Sequence, residues 1–164
     1  MIEATSLEQR LVAAAQDLGI ALGAEQRAQL LQFVGLLDRW SSVYNLSAIR
    51  GAEAILQQHV LDSLAVVPAM FRWAAGRTIR VLDVGSGAGL PGLVIAVARP
   101  DWSVTTIDAV AKKVAFVRQA AGELGMSNLT AVHGRAESLP GEPPFDLITC
   151  RAFATIGEFT AATR

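Results

Sequence analysis

At 164 residues the chain has room for one ordinary domain, or one small domain with an appendage, and it can bury roughly 70% of its extended surface. Hydrophobic residues make up 52% and charged residues 18%, which excludes a disordered chain; 14 basic against 15 acidic side chains leave no cationic half or tail of the kind nucleic-acid binders show. Cys150 is the single cysteine, which rules out an intrachain disulfide and a cysteine-based metal cluster.

The N-terminus carries Glu3 and no cationic stretch before an apolar core, so no signal peptide is visible. Contiguous apolar runs such as 64–71 are too short to cross a bilayer. A reducing cytoplasm, with no metal and no membrane, is the expectation.

The first part of the chain reads as helices. Ser6-Leu-Glu-Gln9 resembles a capping box, Leu7, Leu11, Ala14 and Leu18 follow at helical spacing, and Gly19 ends the helix. A second helix, about 24 to 44, carries Leu30, Phe33, Leu37, Trp40 and Tyr44 along one face. A polar link from Asn45 to Gly51 leads to a third helix around 52–75, with Gly76 where a C-cap belongs.

The pattern then alternates. Strands are expected at 79–84, 103–108, 129–133 and 145–150, with helices at 90–98, 110–124 and 155–162. Such alternation predicts a parallel sheet with right-handed crossovers, hence an α/β chain divided into a helical extension, 1–76, and a Rossmann-like domain, 77–164. Strand 145–150 is left as an apolar edge, and a doubly wound sheet commonly has more strands, so further strands are expected C-terminal to this sequence.

The segment Asp83-Val-Gly-Ser-Gly-Ala-Gly-Leu-Pro-Gly92 follows an apolar strand and opens a helix. Its glycines let a ligand approach the backbone, and the helix N–H groups are expected to face that ligand. Two templates compete. Gly87-x-Gly89-x-x-Gly92 has the dinucleotide spacing, which allows a nicotinamide-dependent oxidoreductase; Gly85-x-Gly87-x-Gly89 has the spacing of methyltransferases that use S-adenosyl-L-methionine. Asp108, at the end of the second strand, can accept ribose hydroxyls in either class. Asp83 favours the methyltransferase, where it either braces the glycine loop or meets the cationic end of the cofactor. Pro91 preorganises the helix start.

After the third strand, the backbone of His133-Gly-Arg-Ala-Glu137 and the Glu137 side chain can border an adenine, with a helix N-terminal acid as the alternative for Glu137. Arg151 and Phe153, after the fourth, project where open α/β sheets bind ligands. Arg151 is the candidate for positioning base or cofactor, with an ion pair to an acid such as Glu137 as the structural alternative. Cys150 reads as a small core residue rather than a nucleophile. His59 and Asp62 share a helix face and are read as fixing the helical part to the sheet, with part of an RNA-facing wall as the alternative. Lys112, Lys113 and Arg118 form a local basic cluster able to touch phosphate.

Taken with Tyr44-Asn-Leu-Ser47, Arg50, His59-Val-Leu-Asp-Ser-Leu64, Arg99-Pro100, Pro143-Pro-Phe-Asp146 and Arg151-Ala-Phe153, the loop resembles one family over nearly the whole chain. That family is the bacterial small-subunit ribosomal RNA guanine-N7 methyltransferases, RsmG or GidB. The resemblance implies a class I fold and transfer of a methyl group from S-adenosylmethionine to N7 of a guanosine in the decoding-region loop of 16S rRNA, within the small ribosomal subunit. It implies that Gly85, Leu90, Ala136, Glu137 and Arg151 line the cofactor site and that Asp108 binds its ribose. Asp83, Gly87 and Gly89 complete that set, and Asn45, Arg50, Lys112 and Lys113 are candidate substrate contacts. Ser47 stands where the family commonly has Thr, and Lys113 where it has Arg. A truncated, non-catalytic relative is the alternative.

Overall fold

A computed structural model describes residues 2–139 and 144–151, with 157, 160, 161 and 163. The helical part contains α1 (Ile2–Asp17), α2 (Ala24–Tyr44) and a third run, α3, from Ala52 to Ala74. Helix α1 begins before Ser6, so Ser6 and Gln9 lie inside it and form no capping box. The cap is instead at α2, where the Gln26 side-chain oxygen accepts the Gly23 N–H at 2.7 Å. The Gln26 amide then donates to the carbonyls of Val97 and Ala98, tying α2 to the sheet domain.

Helix α3 changes to π winding over Leu56–Leu61 and is broken by a turn at residues 65–66. It ends with Ala75 in the left-handed region, one residue before the expected glycine; Gly76 follows, also at positive φ. By length and composition α3 would suit a membrane span, yet Ile55, Leu56, Val60 and Leu64 are fully buried inside the protein.

Four parallel strands follow: β1 (Arg80–Val84), β2 (Ser103–Asp108), β3 (Leu129–His133) and β4 (Leu147–Cys150), ordered β3-β2-β1-β4. β1 pairs Asp83 with Thr106 of β2 and with Thr149 of β4. Helices α4 (Gly92–Ala98) and α5 (Ala111–Glu123) cross over between successive strands and pack on the sheet, and α2 packs on both. Pro91 is the N-cap of α4 rather than its first helical residue. The connector at 141–143, Phe153 and most of the expected helix at 155–162 lie outside the described residues.

One apolar core runs through both parts, joining Leu11 and Leu30 of the helical part to Val81, Leu93 and Trp102 of the sheet domain. Phe116 of α5 is the seam, meeting Phe33 at 6.2 Å and Trp40 at 5.5 Å between ring centres. A smaller cluster of Leu82, Val84 and Ile107 occupies the opposite sheet face. This is the α/β architecture expected, a Rossmann-like parallel sheet with an N-terminal helical layer. β4 is an edge strand among the described residues.

Candidate functional site

All four strands point their carboxyl ends the same way, so the segments after them converge: Gly85 after β1, Asp108 ending β2, Gly134 after β3 and Arg151 after β4. Two cavities open there and meet at Gly85. One, about 320 Å³, is lined by Gly85, Asp108, Ala109, Arg135, Ala136 and Glu137. The other, about 270 Å³, is lined by Gly85, Gly87 and Leu90 of the loop, by Ser47 and His59 of the helical part, and by Lys113 and Arg151.

The Asp108 carboxylate organises the first cavity's rim. Its Oδ2 accepts the Gly87 N–H at 2.9 Å and its Oδ1 the Val110 N–H at 2.8 Å. Each carboxylate oxygen has a second lone pair, which leaves capacity for a ligand hydroxyl. Beneath the loop, Asp83 is fully buried and lines neither cavity. Its Oδ2 accepts the Gly92 N–H at 2.7 Å, while its Oδ1 has no hydrogen-bond partner among the described residues. Burial pushes the carboxyl up to about 7, against the Gly92 hydrogen bond and the charge of Arg151, which both pull it down.

Most of the loop's own N–H groups are spent internally. Gly85 and Ser86 both donate to the Ile107 carbonyl, Gly89 and Leu90 to the Ser86 carbonyl, and Leu93 to the Gly89 carbonyl. With Gly87 held by Asp108 and Gly92 by Asp83, the N–H groups of Gly87, Gly92 and Leu93 face inward rather than toward a ligand. A dinucleotide pyrophosphate needs those donors. The loop therefore offers close approach with few free donors for a phosphate, which suits a sulfonium nucleoside better than a dinucleotide.

A family model described as GidB, rRNA small subunit methyltransferase G, matches residues 26–164. The chain belongs to this family. It is an rRNA methyltransferase, and its methyl donor is S-adenosylmethionine. The ribosomal RNA small subunit methyltransferase G of Acidovorax ebreus is 48% identical over 172 aligned positions, covering 100% of this chain and 75% of the relative. The same-named protein of Burkholderia multivorans is 51% identical over 162 positions, covering 96% and 70%. A Thiobacillus denitrificans S-adenosylmethionine-dependent methyltransferase solved with S-adenosyl-L-homocysteine is 21% identical, covers 59% of this chain and 42% of its own, and superposes with a TM-score of 0.44.

Among the residues read from the sequence, Gly85, Asp108, Ala136 and Glu137 gather around the first cavity, and Gly85, Gly87, Leu90, Lys113 and Arg151 around the second. Gly89 is buried under the loop against Val117. Asn45 and Arg50 stand elsewhere. Asn45 takes a left-handed conformation after α2, and Arg50 folds back to donate to the carbonyls of Ser47 and Ile49 and to Asn45 Oδ1. Arg50 also borders a separate hollow of about 720 Å³ between α1 and α3. Lys112 is exposed and lines neither site cavity, and Arg118 donates to the Ala131 carbonyl at 3.0 Å.

Arg151 does not use Glu137. Its partners are on α3: Asp62 Oδ2 and the Gln58 carbonyl, both at 3.3 Å, and His59 Nδ1 at 2.9 Å. The residues share no local sequence signal, because some 90 positions separate them. His59 and Asp62 do fix the helical part to the sheet, through Arg151 rather than through each other. Cys150 is partly buried, and burial together with the Asp83 charge pushes its thiol pKa up, so it is a poor nucleophile at neutral pH. Sequence reasoning passed over Ser47 as a cavity wall, and it placed Gly92 in the motif without its packing role; the Gly134–Arg135 backbone, read as a candidate adenine border, does line the first cavity.

Proposed function

We propose that this chain methylates N7 of a guanosine in the decoding-region loop of 16S rRNA, acting on the small ribosomal subunit in the cytoplasm. The carrying observation is the chemistry of the second cavity. Among the described residues its ionisable groups are Lys113, Arg151 and His59, and the His59 Nδ1 lone pair is already engaged by Arg151. Such a wall has no carboxylate base. It suits an acceptor atom that holds a lone pair and has no proton to shed, as guanine N7 does.

In this reading the Rossmann-like unit, 77–164, would hold the cofactor: Asp108 would accept its ribose hydroxyls, Ala136 and Glu137 would border its adenine, and Gly85 would let it approach the backbone. Asp83 acts from below, setting the loop through Gly92. The helical extension, 1–76, closes the acceptor side with Ser47 and His59. When bound, S-adenosylmethionine supplies a sulfonium-activated methyl group to which the N7 lone pair bonds while sulfur keeps the departing electron pair. The chain's part is placement and exclusion of water, with cations facing the polyanionic substrate. The dinucleotide oxidoreductase reading is the weaker one, because the loop keeps most of its N–H donors for itself.

The test is transfer of labelled methyl from S-adenosylmethionine to small subunits purified from cells lacking the N7 methyl group. Label on one guanosine, mapped by nuclease digestion and mass spectrometry to the decoding-region loop, is the expected result. Label on another base, or none with intact subunits, overturns the reading.

A further inference from the structure

The contact between α3 and the end of β4 does more than join two parts of the fold. Arg151 has a long side chain directly after an edge strand, with several rotors to be ordered. Its ion pair with Asp62 is long at 3.3 Å, and the Asp62 side chain is 61% exposed, so that pair contributes little. The Gln58 carbonyl is equally distant. The short contact is with His59 Nδ1, and His59 is buried.

A guanidinium can only donate. The His59 Nδ1 must therefore present a lone pair, and the ring proton of the neutral imidazole sits on Nε2. That nitrogen is 2.7 Å from Ser47 Oγ, which also accepts the Ile49 N–H at 3.1 Å. Ser63 Oγ donates to the His59 carbonyl at 2.6 Å and steadies the π turn that carries the ring. Both ring nitrogens are thus committed, one to the 45–50 loop and one to the arginine. Ser47, His59 and Arg151 all line the acceptor cavity.

We propose that His59 is a positioning residue: locked as the Nε2–H tautomer by Ser47, it accepts from Arg151 and aims that guanidinium at the acceptor base. The proposal rests on the functional reading above and adds to it how the helical extension controls the transfer step.

Two variants separate the ring's two contacts. The amide of His59→Asn lies near the Nδ1 position and can still accept from Arg151; the amide of His59→Gln reaches toward Ser47 instead. His59→Leu does neither. With undermethylated subunits, His59→Leu and His59→Gln are expected to lower kcat by about 10- to 100-fold, the scale of misplacing a reacting group, and His59→Asn to recover most of that loss. Affinity for S-adenosylhomocysteine should stay within about twofold in all three, since His59 is outside the first cavity. Imidazole nitrogen NMR of the full chain should show the Nε2–H tautomer in the wild type.

Equal activity of the Asn and Gln variants, or losses that simply follow their melting temperatures, overturns the proposal, as does an Nδ1–H tautomer. If the wild type itself leaves the subunit unlabelled, the functional reading fails and takes the proposal with it. Label with the wild type but no split between Asn and Gln sinks the positioning role alone.

Discussion

The Asp83 carboxylate, one residue before the end of β1, accepts the N–H of Gly92 at 2.7 Å, where α4 begins. This bond ties the strand to the helix under the glycine loop. It places a carboxyl with no exposed surface in the core, directly below the point where the two cavities meet.

Burial makes Asp83 a source of pH-dependent stability. Its folded pKa of about 7 lies above the ordinary value of 3.8. Between those values the unfolded chain gives up the proton and the folded chain keeps it, so the unfolded state binds fewer protons and stability falls as pH rises. The contribution is fully present below 3.8 and gone above about 7. Asp83→Asn should flatten this part of the profile while still offering an oxygen to Gly92. Urea denaturation at pH 5 and pH 8 checks it, and parallel profiles for the two proteins would show that Asp83 is not the source.

Gly92 has no room for a side chain. A Cβ there would lie 2.6 Å from Thr106 Cγ2 and 2.8 Å from Asp83 Oδ2. Gly92→Ala should destabilise by about 1–3 kcal/mol through overpacking and weaken the bond to Asp83. Gly35→Ala is the control: its Cβ would meet only the end of Arg39 at 3.7 Å, within α2. That change should stabilise by about 0.5–1 kcal/mol. Denaturation midpoints with unchanged slopes report both.

Asp108 holds Gly87 and Val110 while facing the first cavity. Asp108→Ala removes the proposed ribose acceptor and frees the loop. Hydrogen bonds to a charged group are worth about 1.5–3 kcal/mol, so affinity for S-adenosylhomocysteine should fall at least about tenfold. Isothermal calorimetry measures it, and an unchanged affinity would mean that the ribose lies elsewhere.

Lys113 and Lys112 are neighbours with different surroundings. Lys113 shares the acceptor cavity with Arg151, whereas Lys112 is exposed outside it. If Lys113 meets an rRNA phosphate, Lys113→Gln should raise KM for small subunits and reduce the slope of log KM against log salt by about 1. Lys112→Gln should change that slope less. The same slope change for both would point to a diffuse field instead of a phosphate contact.

Much of the site was legible because its signals are local. Apolar strands ending in Gly85, Asp108 and Arg151 put those residues at one sheet edge by topology alone. Asp83 was readable as an anomaly, a carboxylate inside an apolar strand, but its two candidate roles were not separable until Gly92 was seen 2.7 Å away. Arg151 was assigned the wrong acid. Glu137 is near it in sequence, whereas Asp62 and His59 are 89 and 92 positions away and are brought in only by the packing of α3.

From sequence alone came the order of elements, the parallel sheet, the identity of the family and the cluster of residues at the strand ends. Periodicity and glycine spacing are properties of neighbouring residues, so the chain carries them openly. Tertiary structure alone decided where the loop's N–H groups go, which face of Asp83 is satisfied, and that His59 stands between Ser47 and Arg151. Those are matters of distance and direction between segments far apart in the chain, and hydrogen bonds respond to fractions of an ångström that no spacing rule encodes.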